Sequence, residues 1–311
     1  MSLSISVVVP VYNSEASLAL LVQRLVPVLE AEAPAFEILL VNDGSSDRSW
    51  DVVCDLAKTE LRVRGINLMR NYGQHNALLA GIRSAKHDVI ITMDDDLQNP
   101  PEEIPKLLAA IADGHDVVYG APEREQHGLI RDLASTVTKY VLQNAMGAAT
   151  ARKVSAFRAF RRDLREAFAD YRSPFVSIDV LLTWGTTRFT AVIVRHEPRT
   201  LGASNYTLIK LITHTMNMAT GFSVFPLQVA SVVGFSSTLF GIGVLIYVVG
   251  RYLIQGAAVP GFAFLASSIA IFSGAQLFAI GIIGEYLARM HFRLMARPTF
   301  VVRSSTDEDQ K

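Results

Sequence analysis

Two long segments near the end of the chain contain no Asp, Glu, Lys or Arg, and they restrict its architecture more than any other feature. They cover residues 227–250 and 261–284 of 311. About 20 apolar residues are enough for a helix to cross the hydrocarbon core of a bilayer, and one charge at the centre of such a helix costs about 3 kcal/mol. The two segments therefore predict two transmembrane helices. The alternative is a hydrophobic hairpin buried in a protein core.

Arginines are distributed unevenly around these segments. The connector 251–260 contains one arginine, whereas four follow the second segment: Arg289, Arg293, Arg297 and Arg303. Because basic residues accumulate on the cytoplasmic side, we expect both termini to lie at the cytoplasmic face of an inner membrane, with 285–311 as a cytoplasmic tail. Apolar residues recur at helical spacing in 206–226, which predicts an amphipathic helix along the membrane surface.

The first 205 residues alternate between β-branched runs and helical patterns and form a cytoplasmic domain. Strands are predicted at 5–9, 37–41, 65–69, 88–93, 116–120 and 189–195, and helices at 15–30, 47–56 and 75–84. This alternation is typical of an α/β fold with a mostly parallel sheet covered by helices. Functional residues of such sheets lie at the carboxyl ends of the strands, which here are 10–13, 42–44 and 94–98.

The overall charge is balanced, with 29 basic and 29 acidic residues. Proteins that bind nucleic acid usually carry a basic surface, so the sequence argues against nucleic acid as a partner. Cys54 is the single cysteine and has no partner for a disulfide, which is typical of a reducing compartment.

Asp94 and Asp96 flank Asp95 at the end of a predicted strand. In an extended backbone, residues two apart point to the same side, so the two outer carboxylates are predicted to converge on one divalent ion, Mg²⁺ or Mn²⁺. Such an ion would stabilise the charge that develops on a departing diphosphate. The alternative interpretation is a solvated acidic turn.

Six motifs follow one another along the chain, four after predicted strands, one before the first apolar segment and one at the end of the second. They are Pro10-Val11-Tyr12-Asn13, Val41-Asn42-Asp43-Gly44-Ser45, Asn71-Tyr72-Gly73-Gln74, Asp94-Asp95-Asp96-Leu97-Gln98-Asn99-Pro100-Pro101-Glu102, Gly202-Ala203-Ser204-Asn205-Tyr206 and Gly281-Ile282-Ile283-Gly284-Glu285-Tyr286. Together they resemble the inverting family 2 glycosyltransferases, which have the Rossmann-like GT-A fold. The resemblance covers nearly the whole chain. It indicates the polyprenyl-phosphate branch, which includes dolichol-phosphate mannose synthase and bacterial undecaprenyl-phosphate glucosyl and aminoarabinosyl transferases.

This resemblance implies roles on the donor side. The nucleotide would be held by Pro10, Tyr12, Asn13, Asp43 and Asp94, and the metal with the diphosphate by Asp94, Asp96 and Gln98. For Tyr12 and Asn13, turn formation after Pro10 is an equally good structural explanation.

The implied acceptor is a polyprenyl phosphate, which is already anionic and needs cations rather than a general base. Arg131 with Ser135, and Arg199 with Ser204 and Tyr206, match the acceptor motifs of the resembled branch, and Arg124 is a further candidate. Arg131 is also implied as catalytic, together with Asp94 and Asp96. Each arginine taken alone could equally be solvated or bind lipid headgroups.

The chain departs from the pattern of these relatives at three positions. Ser155 and Ala156 stand where an acidic residue often precedes the Phe157-Arg158 pair, Pro122 alters the arginine spacing after the fifth predicted strand, and Asn205 replaces a common lysine. The first departure puts a general-base role in doubt.

The expected reaction is therefore the inverting transfer of a single sugar from a nucleotide diphosphate, by family likeness a uridine nucleotide, to polyprenyl phosphate. Two alternatives remain. A processive polysaccharide synthase would need a Gln-x-x-Arg-Trp segment, but neither Trp50 nor Trp184 follows an arginine. An inactive membrane scaffold would keep the fold without the reaction. Small residues in the first apolar segment, at Gly234, Gly241 and Gly243, leave a homo-oligomer open.

Overall fold

A computed structural model describes residues 3–122, 153–173, 175–197, 225–255, 261–295 and 297–307 of the chain. The chain divides into two compact units. The first comprises Met1–Ile212 together with Ala296–Lys311, and the second is Thr213–Met295. The end of the chain thus belongs to the same unit as its beginning.

The first unit is built around a sheet to which the described residues contribute eight strands. They are β1 (Ile5–Val11), β2 (Phe36–Asn42), β3 (Val63–Leu68), β4 (Val89–Thr92), β5 (Val117–Pro122), β6 (Arg158–Arg161), β7 (Phe189–Val194) and β8 (Val302–Ser305). Their order is β7-β5-β6-β4-β1-β2-β3-β8. β6 is antiparallel to β4 and β5, β8 is antiparallel to β3, and the other pairs are parallel. The predicted α/β fold with a mostly parallel sheet is confirmed.

Helices pack against this sheet. They are α1 (Leu18–Glu32), α2 (Ser49–Thr59), α3 (Gln74–Ser84), α4 (Ile104–Ala112) and the short α5 (Ile178–Thr183). The apolar residues that predicted α1 are all buried: Leu18, Leu21, Val22, Leu25 and Leu29. α3 lies so close to β1 that a Cβ on Gly81 would be 2.3 Å from Val8 Cγ1. The core therefore lies between the central strands and these helices.

The residues that follow the second apolar segment complete the sheet. Beside β8, Thr306 N donates to Gly65 O at 3.1 Å, and Gly65 N donates to Thr306 Oγ1 at 2.9 Å. Arg64 donates from Nη2 to Asp307 Oδ2 at 2.5 Å and from Nη1 to the buried Glu37. The end of the chain is therefore an integral part of the first unit.

Ending the chain after Phe300 is expected to destabilise the first unit by about 3 kcal/mol, because several bonds to β3, each contributing about 1 kcal/mol, would be lost. The measurement is thermal unfolding of the detergent-purified protein, and the melting temperature should fall. A chain ending after Asp307 is the matched control, since it keeps β8 and the bonds to Arg64 and Gly65. Equal melting temperatures for the two shortened chains would contradict the prediction.

The second unit contains two long helices, α6 (Phe225–Gln255) and α7 (Phe262–Leu294). Within them lie two stretches that are long and apolar enough to cross a membrane, Pro226–Ile254 and Ile271–Leu294. Many of their large apolar side chains are exposed, as shown by Phe235 at 66% and Leu245 at 61%. Exposed apolar surface of this extent favours a bilayer over a hairpin buried in a protein core.

α6 and α7 contact each other through aromatic rings. The ring centroids of Phe240 and Phe272 are 6.4 Å apart. On α7, Arg289 Nη2 donates to Glu285 Oε1 at 2.8 Å, so Glu285 has a partner on its own helix. The amphipathic helix predicted at 206–226 lies outside the described residues, except for its last two, which belong to α6.

Candidate active site

The turns that follow β4, β1 and β2 lie side by side at one edge of the sheet. These three strands are adjacent and parallel, so their carboxyl ends meet at the same edge. The motifs predicted at 10–13, 42–44 and 94–98 follow directly from these strand ends. Hydrogen bonds between the turns hold the motifs together.

Asn13 joins the turn after β1 to the turn after β2. Its Oδ1 accepts a hydrogen bond from Ser46 N at 2.8 Å, and its own N donates to Ser45 Oγ at 3.0 Å. Its backbone has a φ of 54°, a left-handed conformation that asparagine tolerates better than most residues. These contacts support turn formation as one role of Asn13. Tyr12 is 48% exposed at the same edge, whereas Pro10 is buried within β1.

Asp43 anchors the loop that precedes α3. Its carboxylate is buried and accepts hydrogen bonds from Tyr72 N at 2.7 Å and Gly73 N at 2.8 Å. Burial raises the pKa of Asp43, although these two bonds oppose the shift. The turn after β2 packs so closely against this loop that a Cβ on Gly44 would lie 2.5 Å from Asn71 N. Asp43 therefore fixes this loop.

The first residue of α3, directly after this loop, contacts the aspartate motif. Gln74 Nε2 donates to Asp94 Oδ1 at 2.5 Å, and Asp96 Oδ1 accepts from Gln98 N at 3.1 Å. β4 ends at Thr92, so the three aspartates lie in the turn beyond the strand, where side chains do not alternate as they do in an extended backbone. Gln74 orients Asp94 instead, although the sequence motif alone predicts no separate role for Gln74.

Asp95 connects the aspartate motif to the turn after β1. The Ser14 side chain and the Tyr12 main chain lie against its carboxylate and favour its ionised form. Burial raises the pKa of Asp95 to about 6, and the nearby charge of Asp96 acts in the same direction.

Asp94 and Asp96 are the carboxylates of this edge that the sequence assigns to a metal ion. Among the described residues, no group of three or more His, Cys, Asp or Glu side chains is arranged to hold a metal ion. Mg²⁺, however, is commonly bound through one or two carboxylates together with the phosphate oxygens of a substrate. Asp94 and Asp96 therefore suit a divalent ion that binds jointly with a diphosphate.

A buried ion pair lies behind the aspartate motif. Arg158 of β6 is 1% exposed, and its guanidinium donates to Asp179 of α5 and to Thr92 Oγ1 at 3.0 Å. Tyr119 OH donates to the same Asp179 carboxylate at 3.0 Å. Burial alone would lower the pKa of Arg158, but the charge of Asp179 reverses this and raises it, and Asp94 contributes in the same direction. These bonds connect β4, which ends just before the aspartate motif, to β5, β6 and α5.

Six of the predicted site residues lie outside the described residues: Arg124, Arg131, Ser135, Arg199, Ser204 and Tyr206. The position before Phe157 is described. There, Ser155 Oγ accepts from Phe157 N at 3.2 Å, and Ala156 O accepts from Thr92 Oγ1 at 2.8 Å. These two residues shape the turn before β6.

The family model for glycosyl transferase family 2 matches residues 6–168, which contain all three turns. The chain belongs to this family. As a family 2 glycosyltransferase, it is 35% identical over 305 residues to the undecaprenyl-phosphate 4-deoxy-4-formamido-L-arabinose transferase of Pectobacterium carotovorum subsp. carotovorum (strain PC1), covering 97% of this chain and 93% of the relative. The transferase of the same name from Yersinia pestis (strain Pestoides F) is 35% identical over 309 residues, covering 98% and 94%.

Solved structures share the fold of this family 2 glycosyltransferase. The glucosyl-3-phosphoglycerate synthase of Mycobacterium tuberculosis, in complex with Mn²⁺ and uridine-diphosphate-glucose, superposes with a TM-score of 0.51 at 17% identity, covering 70% of this chain and 77% of that chain. Its complex with phosphoglyceric acid gives 0.52 at 18% identity, covering 70% and 78%. The likeness confirms the predicted GT-A fold.

Proposed function

We propose that this family 2 glycosyltransferase transfers one sugar from a UDP-sugar to polyprenyl phosphate, with inversion, at the cytoplasmic face of the inner membrane. The observation that carries the proposal is the similarity, over almost the whole length of both chains, to transferases named for undecaprenyl phosphate. The aligned region includes the two apolar helices, which are long enough to cross a bilayer and would keep the enzyme beside a lipid acceptor.

On the donor side, Tyr12, Asn13 and Asp43 would bind the nucleoside beside Pro10. Asp94, Asp96 and Gln98 would hold Mg²⁺ or Mn²⁺, which when bound supplies positive charge to the departing diphosphate. The chain itself contributes the orientation of these groups. Gln74 fixes the Asp94 carboxylate, and Asp43 fixes the loop that leads into Gln74.

On the acceptor side, the phosphate of the lipid is the nucleophile and is already anionic near neutral pH, so no general base is required. Two described features agree with this. The position before Phe157 holds Ala156 instead of an acid, and the Asp179 carboxylate is occupied by Arg158 and Tyr119. We propose Arg124, Arg131 and Arg199 as the cations that hold the phosphate, with hydroxyl groups from Ser135, Ser204 and Tyr206.

The experiment is transfer of radiolabelled sugar from a panel of UDP- and GDP-sugars, including UDP-4-deoxy-4-formamido-L-arabinose, to undecaprenyl phosphate in detergent micelles. We expect one UDP-sugar to label the organic-extractable lipid. EDTA should abolish the labelling and added Mn²⁺ or Mg²⁺ should restore it, because the two carboxylates need the ion to hold the diphosphate.

Other outcomes would favour the alternatives. Labelled polymer would indicate a processive synthase. Failure of every donor, although UDP still binds to the purified protein, would favour an inactive scaffold. Labelling that persists in EDTA would contradict the metal at Asp94 and Asp96.

A further inference from the structure

The residues that follow β7 run alongside the continuation of the aspartate motif. Glu197 N donates to the main-chain O of Gln98 at 2.8 Å. Arg195 contacts Glu103 twice, from its N to Oε2 at 3.1 Å and from its Nε to Oε1 at 2.8 Å. Residues 195–197, called the 195–197 segment below, are thus bonded at both ends to the stretch that begins at Gln98.

Glu103 is an unusual residue for this position. It is 3% exposed, and a buried carboxylate is costly unless cations and hydrogen-bond donors compensate it. Burial tends to raise the pKa of Glu103, but bonds from Lys106 and Arg195 outweigh this, so its pKa lies below the ordinary value and the group is ionised near neutral pH. Two of its three donors come from Arg195, so the buried charge is compensated largely by the 195–197 segment.

More exposed side chains also connect the 195–197 segment to the stretch that begins at Gln98. Arg24 Nη2 donates to Glu102 Oε2 at 2.8 Å, and its Nη1 lies 3.6 Å from Glu197 Oε2. His196 Nδ1 lies 3.4 Å from Asn99 Oδ1. These groups are partly exposed, and exposed ion pairs contribute little. Of the contacts between the 195–197 segment and the stretch that begins at Gln98, those to the buried carboxylate of Glu103 therefore contribute most.

The two partners of this contact serve opposite halves of the proposed reaction. Gln98 belongs to the donor motif, and Arg199, the first residue of the proposed pre-membrane acceptor motif, comes two residues after the 195–197 segment. Two reactants must be aligned for transfer, and a misplacement of about 1 Å can cost roughly 100-fold in rate. A bond between the two halves would set this alignment.

We propose that Glu103 is a positioning residue that holds the 195–197 segment against the donor motif, and so fixes the point from which the chain continues to the proposed acceptor residues 199–206. The inference rests on the proposed function, because it assigns the acceptor to residues 199–206. It predicts a separation of effects, in which loss of the Glu103 contact impairs use of the acceptor and leaves donor binding intact.

The test compares Glu103→Gln and Arg195→Ala with the unchanged full-length protein. Glu103→Gln keeps the shape of the side chain and removes its charge, while Arg195→Ala removes the guanidinium from the exposed side of the same contact. Either variant tests the contact if the other does not fold. We expect kcat/KM for undecaprenyl phosphate to fall at least tenfold in both, measured on the folded protein, with the Kd for UDP in the presence of Mn²⁺ unchanged.

Lys106→Gln is the matched control, because it removes the other cation bonded to Glu103 without touching the 195–197 segment, and its kinetics should match the unchanged protein. Unaltered kcat/KM for the acceptor in Arg195→Ala would overturn the inference, as would a loss of UDP binding as large as the loss of transfer. An unchanged protein that forms no sugar lipid would instead overturn the proposed function. If the unchanged protein is active and the variants have the same kcat/KM, only the role of Glu103 is overturned.

Discussion

Exchanging Asp96 for asparagine is expected to lower kcat for sugar transfer by about a thousandfold, the scale on which loss of one preorganised electrostatic contact to developing charge is felt. Asparagine keeps an Oδ1 that can accept the hydrogen bond from Gln98 N, so the turn should persist while the negative charge is lost. The measurement is steady-state transfer to undecaprenyl phosphate, together with titration of Mn²⁺ in the presence of UDP, whose binding should weaken.

Asp113→Asn provides the control for this exchange. Asp113 is an exposed aspartate at the end of α4, away from the three turns, and its loss should leave kcat unchanged. If Asp96→Asn retained more than a tenth of the activity, Asp96 would not hold an essential ion. The acidic run would then be better explained as a solvated turn.

Asp179→Ala is expected to lower the free energy of unfolding of the first unit by about 4 kcal/mol, because removing one partner of a buried ion pair leaves an uncompensated charge. Arg158 would keep its bond to Thr92 Oγ1 but lose its carboxylate, and Tyr119 would lose its acceptor. Since whole domains are stable by about 5–15 kcal/mol, the loss is large. Thermal or denaturant unfolding in detergent measures it.

The double variant Arg158→Met with Asp179→Leu separates charge from packing. Replacing both partners of a buried pair by apolar residues of similar size is often neutral in stability, so the double variant should recover most of the loss. Equal destabilisation in the single and double variants would mean that packing, and not the stranded arginine, accounts for the effect. The transfer activity of the double variant measures how much the positive charge of Arg158, which interacts with Asp94, contributes to the reaction.

The central strands could be predicted from the sequence almost to the residue. Runs expected at 5–9 and 88–93 became Ile5–Val11 and Val89–Thr92, because strands buried on both faces are continuous apolar runs. The positions of the three turns followed from the parallel order of these strands. The location of these turn residues at one edge of the sheet could therefore be predicted from the strand order alone.

Features that depend on distant partners could not be predicted. β8 consists of Val302-Arg303-Ser304-Ser305, which is too short and polar to stand out, and it becomes a strand only through pairing with β3. For the same reason, the contact between Gln74 and Asp94 follows from which turns are neighbours in space. The acceptor residues from Arg124 to Tyr206 stay predictions from family likeness.

The place of β8 in the chain has a consequence for biosynthesis. It is the last strand of the sheet in sequence, and both apolar helices are made before it. Until they have been translated, the edge of β3 has no partner, and an unpaired edge is a site where chains associate wrongly. The first unit therefore cannot close this edge until both apolar helices have left the ribosome, so the folding of the sheet waits for the synthesis of the helices.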